Sequence, residues 1–180
     1  ISALWILVAN SWMQYPVGME FNPDTVRNEM IDFWSILLSP VAINKFIHTI
    51  LSGWVLGGIF VAGVSGWFML RKRNMDFAGK SMKIGAIFGL AASVLIAVTG
   101  HTSAMNVAKY QPMKLAAMEG LYEGGEGVEL IGIGIVNPKK ESWDDDVEPV
   151  VAKIAFPKFL SFLAFADFNA YVPGIKDIIE

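Results

Sequence analysis

One histidine, His48, stands near the start of an apolar stretch from Phe46 to Leu70 that contains no Asp, Glu, Lys or Arg. Imidazole is the commonest metal ligand among side chains, and an ionisable ring inside a membrane-length stretch is a candidate site. On a helix His48 shares its face with small or compact residues: Ser52, Val55, Ile59, Ala62 and Gly66. A flat prosthetic group fits beside such a face. The alternative is a hydrogen-bonded packing histidine, the more frequent role of a lone histidine on a spanning helix.

Lys114 and Glu119 are a second set of groups that could carry chemistry. Pro112 near the first turn and Gly120 after the last predict a helix of about two turns that carries both residues. Positions five apart lie roughly 140° apart around a helix, so the two charges are poorly placed to pair with each other. Each is therefore available to another partner, unless both only solvate an exposed helix.

The composition is that of a membrane protein with a water-facing part. The 180 residues are 54% hydrophobic, which is more than in an ordinary soluble domain. The net charge of −3 argues against nucleic acid as a partner, and the absence of cysteine excludes disulfides and thiolate metal sites. Any metal must then be held through a prosthetic group or by ligands elsewhere. The chain has no initiator Met or signal segment, so we expect it to be part of a longer protein.

The pattern of apolar and charged residues predicts a transmembrane helical region over residues 1–100, followed by a water-facing segment over 101–180. The predicted elements of the first region are a helix tail over 1–10, an amphipathic surface helix over 24–38, and spanning helices over 41–70 and 83–100. The surface helix is inferred from apolar residues at helical spacing: Val26, Met30, Phe33, Trp34 and Leu37.

The basic loop over residues 71–83 sets the orientation, because the positive-inside rule assigns it to the cytoplasm. Residues 101–180 then lie on the outer side of the membrane. Within them we predict a short strand or extended segment over 128–136 and a helix within 157–171. The run Asp144, Asp145 and Asp146 lies in a solvated loop and is a weak candidate for binding a cation.

Several stretches, in order along the whole chain, resemble subunit I of cytochrome bd quinol oxidases. These stretches are Ser2–Asn10, Trp12–Pro16, Asn44–Thr49, Lys114–Glu119, Leu160–Ala164 and Asp167–Ala170. The resemblance implies an all-α, multi-pass transmembrane bundle with part of an extracytoplasmic quinol loop, in the bacterial cytoplasmic (inner) membrane. It implies a quinol:oxygen oxidoreductase that oxidises quinol at the outer face and passes electrons through a low-spin b haem toward the reduction of dioxygen to water.

Carried over residue by residue, the resemblance makes His48 an axial ligand of the iron of the low-spin b haem. Lys114 and Glu119 match the Lys and Glu of the loop implicated in quinol oxidation. The second axial ligand, a Met, and the ligands of a further b haem and of haem d are expected outside this stretch, so residues 1–180 alone should be inactive. His101 has no role in the family pattern and is expected to be a solvated interface histidine.

The implied partners are a second oxidase subunit, small accessory subunits, quinol, dioxygen and the lipid bilayer. The resemblance leaves ubiquinol and menaquinol both open. The alternative function is a non-redox membrane transporter or scaffold subunit, in which His48 only packs.

Overall fold

The computed structural model describes residues 2–140, 142 and 147–179. It divides into two compact units, Ile1–Thr102 and Ser103–Glu180.

The first unit is built mainly from helices. They are α1 (Ser2–Gln14), α2 (Phe33–Leu37), α3 (Pro40–Leu70) and α4 (Met75–Tyr110), the last of which continues beyond the unit. The helices α3 and α4 are each long and apolar enough to cross a membrane. The start of α3 follows from its sequence, because the Ser39 hydroxyl caps the helix by accepting from the Ala42 amide at 3.2 Å and Pro40 fits the first turn.

Glycines bring α3 and α4 into backbone contact. A Cβ placed on Gly58 of α3 would lie 2.6 Å from the Cα of Gly89 on α4, and one on Gly85 would lie 3.1 Å from the Ala62 nitrogen. Since real Cβ atoms do not approach other atoms at 2.6 Å, only glycine fits at position 58. Gly58, Gly85 and Gly89 therefore allow α3 and α4 to pack closely against each other.

The short helix α2 packs against α1 and the first turns of α3. Val8, Ile36 and Ala42 form the buried cluster of this corner. At its edge the ammonium group of Lys45 donates to Asn10 Oδ1 and to Gln14 Oε1, each at 2.8 Å. These contacts join the start of α3 to α1.

The predicted surface helix over 24–38 is wrong. Its first part is an antiparallel hairpin of β1 (Met19–Asn22) and β2 (Arg27–Met30), and only α2 is helical. The Asn22 side chain accepts from the Asp24 amide at 2.9 Å, which favours a turn, and Asp32 then starts α2 by accepting from the Trp34 amide at 2.9 Å. The apolar spacing thus came from two short elements and not from one helix.

The second unit mixes short helices and strands. Its elements are α5 (Pro112–Glu119), β3 (Gly125–Glu126), β4 (Leu130–Val136), β5 (Val150–Phe156), α6 (Phe159–Phe165), β6 (Tyr171–Val172) and α7 (Ile175–Ile179). Strands β4 and β5 form an antiparallel hairpin, and β3 pairs with β6. The all-α prediction is therefore right for the membrane-length helices and wrong for the hairpins.

Two predictions for this unit are confirmed and a third is partly wrong. The helix α5 ends at Gly120, whose φ is +63°, and residues 130–136 form a strand. The helix expected within 157–171 covers only α6, because Ala166 adopts a left-handed conformation and an Asp167 turn leads into β6. The proposed Asp144–Asp146 cation loop lies outside the described residues.

We expect Gly58→Ala to destabilise the first unit by about 1–3 kcal/mol, the usual cost of overpacking, because the added Cβ meets the α4 backbone. Thermal unfolding of the purified protein in detergent measures the effect. Gly57→Ala is the matched control, since a Cβ on the neighbouring glycine meets nothing within 4 Å. Equal unfolding temperatures for the two variants would contradict this account of the helix contact.

Candidate functional site

His48 is half-buried on α3 and contacts α4. Its ring nitrogen Nδ1 lies 2.8 Å from the hydroxyl oxygen of Thr99 on α4. One turn earlier on α3, the Asn44 side-chain amide donates to the Thr99 carbonyl at 3.2 Å. Asn44 and His48 of α3 thus both bind Thr99 of α4. These two contacts fix the position of the His48 imidazole.

The ring of His48 can serve as a haem or metal ligand. Its Nδ1 is engaged by Thr99, which leaves Nε2 as the nitrogen for a metal. A Cβ on Gly100 would lie 3.6 Å from the ring atom Cε1, so the ring edge packs closely against α4. Ser52 and Ile59 on the same face of α3 are exposed, and space for a flat group remains beside them. The residues present therefore fit a prosthetic group that takes one imidazole from this chain.

In residues 2–140, 142 and 147–179, no group of three or more His, Cys, Asp or Glu side chains is placed to hold a metal ion. His101, on α4, is half-buried and is thus less solvated than expected for an interface histidine.

Glu119 is the last residue of α5 and lines a cavity of about 390 Å³ in the second unit. Apolar side chains form much of the surrounding wall: Leu121, Val128, Ile131, Val147 and Leu160. Glu119 is half-buried, and this desolvation raises the pKa of its carboxyl above the ordinary value. The cavity therefore contains a carboxylate that binds a proton more readily than a solvated one.

Unlike Glu119, two other acids of the cavity wall have cationic partners among the described residues. Glu123 pairs with Lys176 at 2.8 Å, and Glu129 forms an ion pair with Lys153. Burial raises the pKa of Glu119, which makes no ion pair or hydrogen bond with the part of the chain that the structure describes. Its oxygens are consequently available to a ligand in the cavity.

Ser161 holds the apolar wall of the cavity in place. It is fully buried on α6, and its hydroxyl accepts from the Val128 amide at 2.9 Å and donates to the Ala170 carbonyl at 2.8 Å. The Leu160 amide donates to the Val128 carbonyl at 3.2 Å. These bonds connect the segment before β4 to α6, and the two apolar side chains of the wall, Val128 and Leu160, are positioned by them.

The structure separates Lys114 from Glu119. Lys114 is exposed, and the described wall of the cavity does not include it. The wall does contain Tyr122, whose ring lies 4.4 Å from the Lys140 ammonium, and Lys153. Sequence reasoning missed these three residues, since Lys140 and Lys153 come from segments remote from α5. Tyr122 could have been found from the sequence, because it is an aromatic residue only three positions after Glu119.

Comparison with known proteins decides the family. Residues 1–180 match the family model described as cytochrome bd terminal oxidase subunit I. The chain belongs to this family. The resemblance inferred from the sequence motifs is thereby confirmed.

Relatives in two bacteria are similar in sequence. Cytochrome bd-II ubiquinol oxidase subunit 1 of Escherichia coli is 38% identical over 180 residues, which are 99% of this chain and 34% of that protein. Cytochrome bd ubiquinol oxidase subunit 1 of Bacillus subtilis is 35% identical over 179 residues, which are 99% of this chain and 36% of that protein. The chain thus spans about a third of the length of these bd relatives.

The fold is also similar to that of a solved bd oxidase. The match to the structure of bd oxidase from Geobacillus thermodenitrificans has a TM-score of 0.82 at 25% sequence identity, and it covers 98% of this chain and 39% of that one. The fold similarity to a bd oxidase therefore agrees with the family match.

The raised pKa of Glu119 gives a stability prediction with a definite sign. Unfolding returns the carboxyl to its ordinary value of 4.5, so the folded protein is penalised for the charged form as pH rises from 4.5 through the raised pKa. We expect Glu119→Gln to raise the unfolding temperature at neutral pH, and the gain should disappear below pH 4.5. Glu126→Gln, at an exposed acid outside the cavity wall, should change little. A gain from Glu119→Gln that is equal at every pH would contradict the burial of a charge.

Proposed function

We propose that this chain is the part of a bacterial quinol:oxygen oxidoreductase that ligates a low-spin b haem through His48 and oxidises quinol beside Glu119. The observation that carries the proposal is the match of residues 1–180 to the bd oxidase subunit I family. The relatives from Escherichia coli and Bacillus subtilis are named as ubiquinol oxidases, and a third, also from Bacillus subtilis, is named as a putative menaquinol oxidase.

Glu119 is proposed to accept a proton from the quinol. Oxidation of a quinol to a quinone releases two protons and two electrons, so a carboxylate within reach of a ring hydroxyl speeds the reaction as a general base. The cavity of about 390 Å³ is within the size range of small-molecule sites, and the apolar part of its mixed wall suits an aromatic ring. The unpaired, half-buried carboxylate has the raised proton affinity that such a base requires.

Lys114 is proposed to stabilise negative charge on the quinol as the proton leaves. Its ammonium group is exposed on the same helix, outside the described wall of the cavity. We therefore expect its contribution to be smaller than that of Glu119.

His48 is proposed to hold the haem iron through Nε2, with Nδ1 engaged by Thr99. A low-spin b haem bound there supplies one-electron redox chemistry, and a histidine with a thioether partner tunes its potential upward. The Met partner and the ligands of a further b haem and of haem d belong, in this proposal, to parts of the protein outside residues 1–180.

The proposed location is the bacterial cytoplasmic membrane. Residues 71–83 carry the basic residues Arg71, Lys72, Arg73, Lys80 and Lys83, which favour the cytoplasmic side. Residues 101–180 then face outward, so the quinol protons leave on the outer side. A second oxidase subunit, small accessory subunits and dioxygen complete the proposed assembly.

The haem assignment is tested in the full-length protein purified with its partner subunit. We expect His48→Ala to remove the low-spin component of the reduced b-type optical spectrum, because the iron then loses the imidazole proposed to bind it. Replacement of the half-buried His101 by Ala is the control and should leave that component intact. A wild-type spectrum in the His48 variant would refute the ligand assignment.

The quinol site is tested by turnover with quinol in the same preparation. Glu119→Gln should reduce quinol oxidation on the order of 100-fold, the typical effect of losing a general base, while the haem spectrum stays unchanged. Lys114→Gln should have a smaller effect. The exposed Glu126→Gln should turn over at the wild-type rate. If Glu119→Gln and Glu126→Gln behave alike, Glu119 does not take the proton.

A further inference from the structure

We propose that Thr99 is a positioning residue for the haem ligand. Its hydroxyl accepts a hydrogen bond from Nδ1 of His48, which fixes the tautomer whose Nε2 lone pair is left for iron. This inference rests on the proposed function, since it assigns a second residue to the His48 site.

The direction of the hydrogen bond follows from the neighbours of Thr99. Its hydroxyl oxygen lies 2.8 Å from His48 Nδ1, 3.1 Å from the Ile96 carbonyl oxygen and 3.3 Å from the Leu95 carbonyl oxygen. Carbonyl oxygens only accept, and a hydroxyl has one proton to donate. All these contacts are satisfied together when the hydroxyl donates to a carbonyl and Nδ1–H of His48 donates to the hydroxyl.

The opposite arrangement would disable the ligand. If the Thr99 hydroxyl donated to Nδ1, the proton of a neutral imidazole would stand on Nε2, and neither ring nitrogen would have a lone pair for a metal. The carbonyls of the preceding turn compete for the hydroxyl proton and so disfavour this arrangement. Thr99 therefore selects the tautomer that can ligate.

Thr99, the acceptor of this hydrogen bond, is itself held in place by its neighbours. The Asn44 amide donates to the Thr99 carbonyl at 3.2 Å, and the ring edge of His48 packs against Gly100. The hydroxyl is attached to a β-branched side chain with few rotamers. The ring plane of His48 is consequently set by α4 before any haem is bound.

A hydrogen bond from Nδ1–H makes the imidazole a stronger electron donor and favours ferric over ferrous iron. Loss of the Thr99 hydroxyl should therefore raise the midpoint potential of the low-spin b haem. It should also loosen the ring, which alters the g-values of the oxidised low-spin haem and weakens its retention about 10-fold, a typical effect of removing such a partner.

The experiment uses the complete oxidase complex with Thr99→Val and Thr99→Ala, which both lack the hydroxyl, and Thr99→Ser, which keeps it. Thr102→Val is the matched control, because the Thr102 hydroxyl donates to the Val98 carbonyl at 3.2 Å and has no contact with His48. Redox titration, electron paramagnetic resonance and transfer of haem to apomyoglobin are the readouts. The two hydroxyl-free variants should share a raised potential, shifted g-values and faster haem loss, while the Ser and Thr102 variants match the wild type.

Three other outcomes would each contradict part of this account. Wild-type potential, g-values and haem retention in either hydroxyl-free variant would overturn the role of Thr99 while the His48 ligand stands. A Ser variant that behaves like Val would also overturn it, since the hydroxyl would then be irrelevant. Retention of the low-spin haem in His48→Ala would refute the ligand assignment itself, so the two failures are distinguishable.

Discussion

The arrangement of the first unit depends on the contact of two helix backbones. Gly58 of α3 meets Gly89 of α4 without a side chain between them, and a single added Cβ would collide with main-chain atoms. This contact fixes how far each helix slides along the other. His48 lies ten residues nearer the start of α3, about 15 Å away at the usual helical rise, and it stands opposite Thr99 together with Asn44, one turn earlier. The position of the imidazole is thus a result of packing well inside the membrane-length part of the helices.

The long helices, the short helix α5 and strand β4 were predictable, whereas the hairpin of β1 and β2 was not. The stretch after Ser39 and Pro40 carries Lys45 as its one charged residue before Arg71, and such a capped apolar run favours a long helix. Residues 24–38 have apolar residues at helical spacing, but local side-chain bonds at Asn22 and Asp32 make a turn and a new helix start. Small residues on α3 do not reveal from the sequence what packs against them. The structure shows that Gly58 packs against the backbone of α4.

The sequence predicted the central residues of the candidate site but not their partners. His48 and Glu119 are the right residue types in informative places, and the spacing of Lys114 and Glu119 already indicated different faces of α5. The partners were hidden because they come from distant segments. Thr99 is separated from His48 by 51 positions, and the cavity wall joins α5 to β5 and α6. No local pattern encodes such pairings, which depend on helix crossing and on hairpin register.

The left-handed cap at Gly120 has an electrostatic consequence for its neighbour. It ends α5 directly after Glu119, so this residue belongs to the last turn, where the final carbonyl groups of the helix lie. Aligned peptide dipoles place partial negative charge at that end, and a negative side chain there is disfavoured. The backbone thus acts in the same direction as burial and increases the basicity of Glu119. If α5 ran one turn farther, Glu119 would no longer lie at the end of the helix and the effect would be lost. The proton affinity of Glu119 therefore depends partly on where Gly120 ends α5.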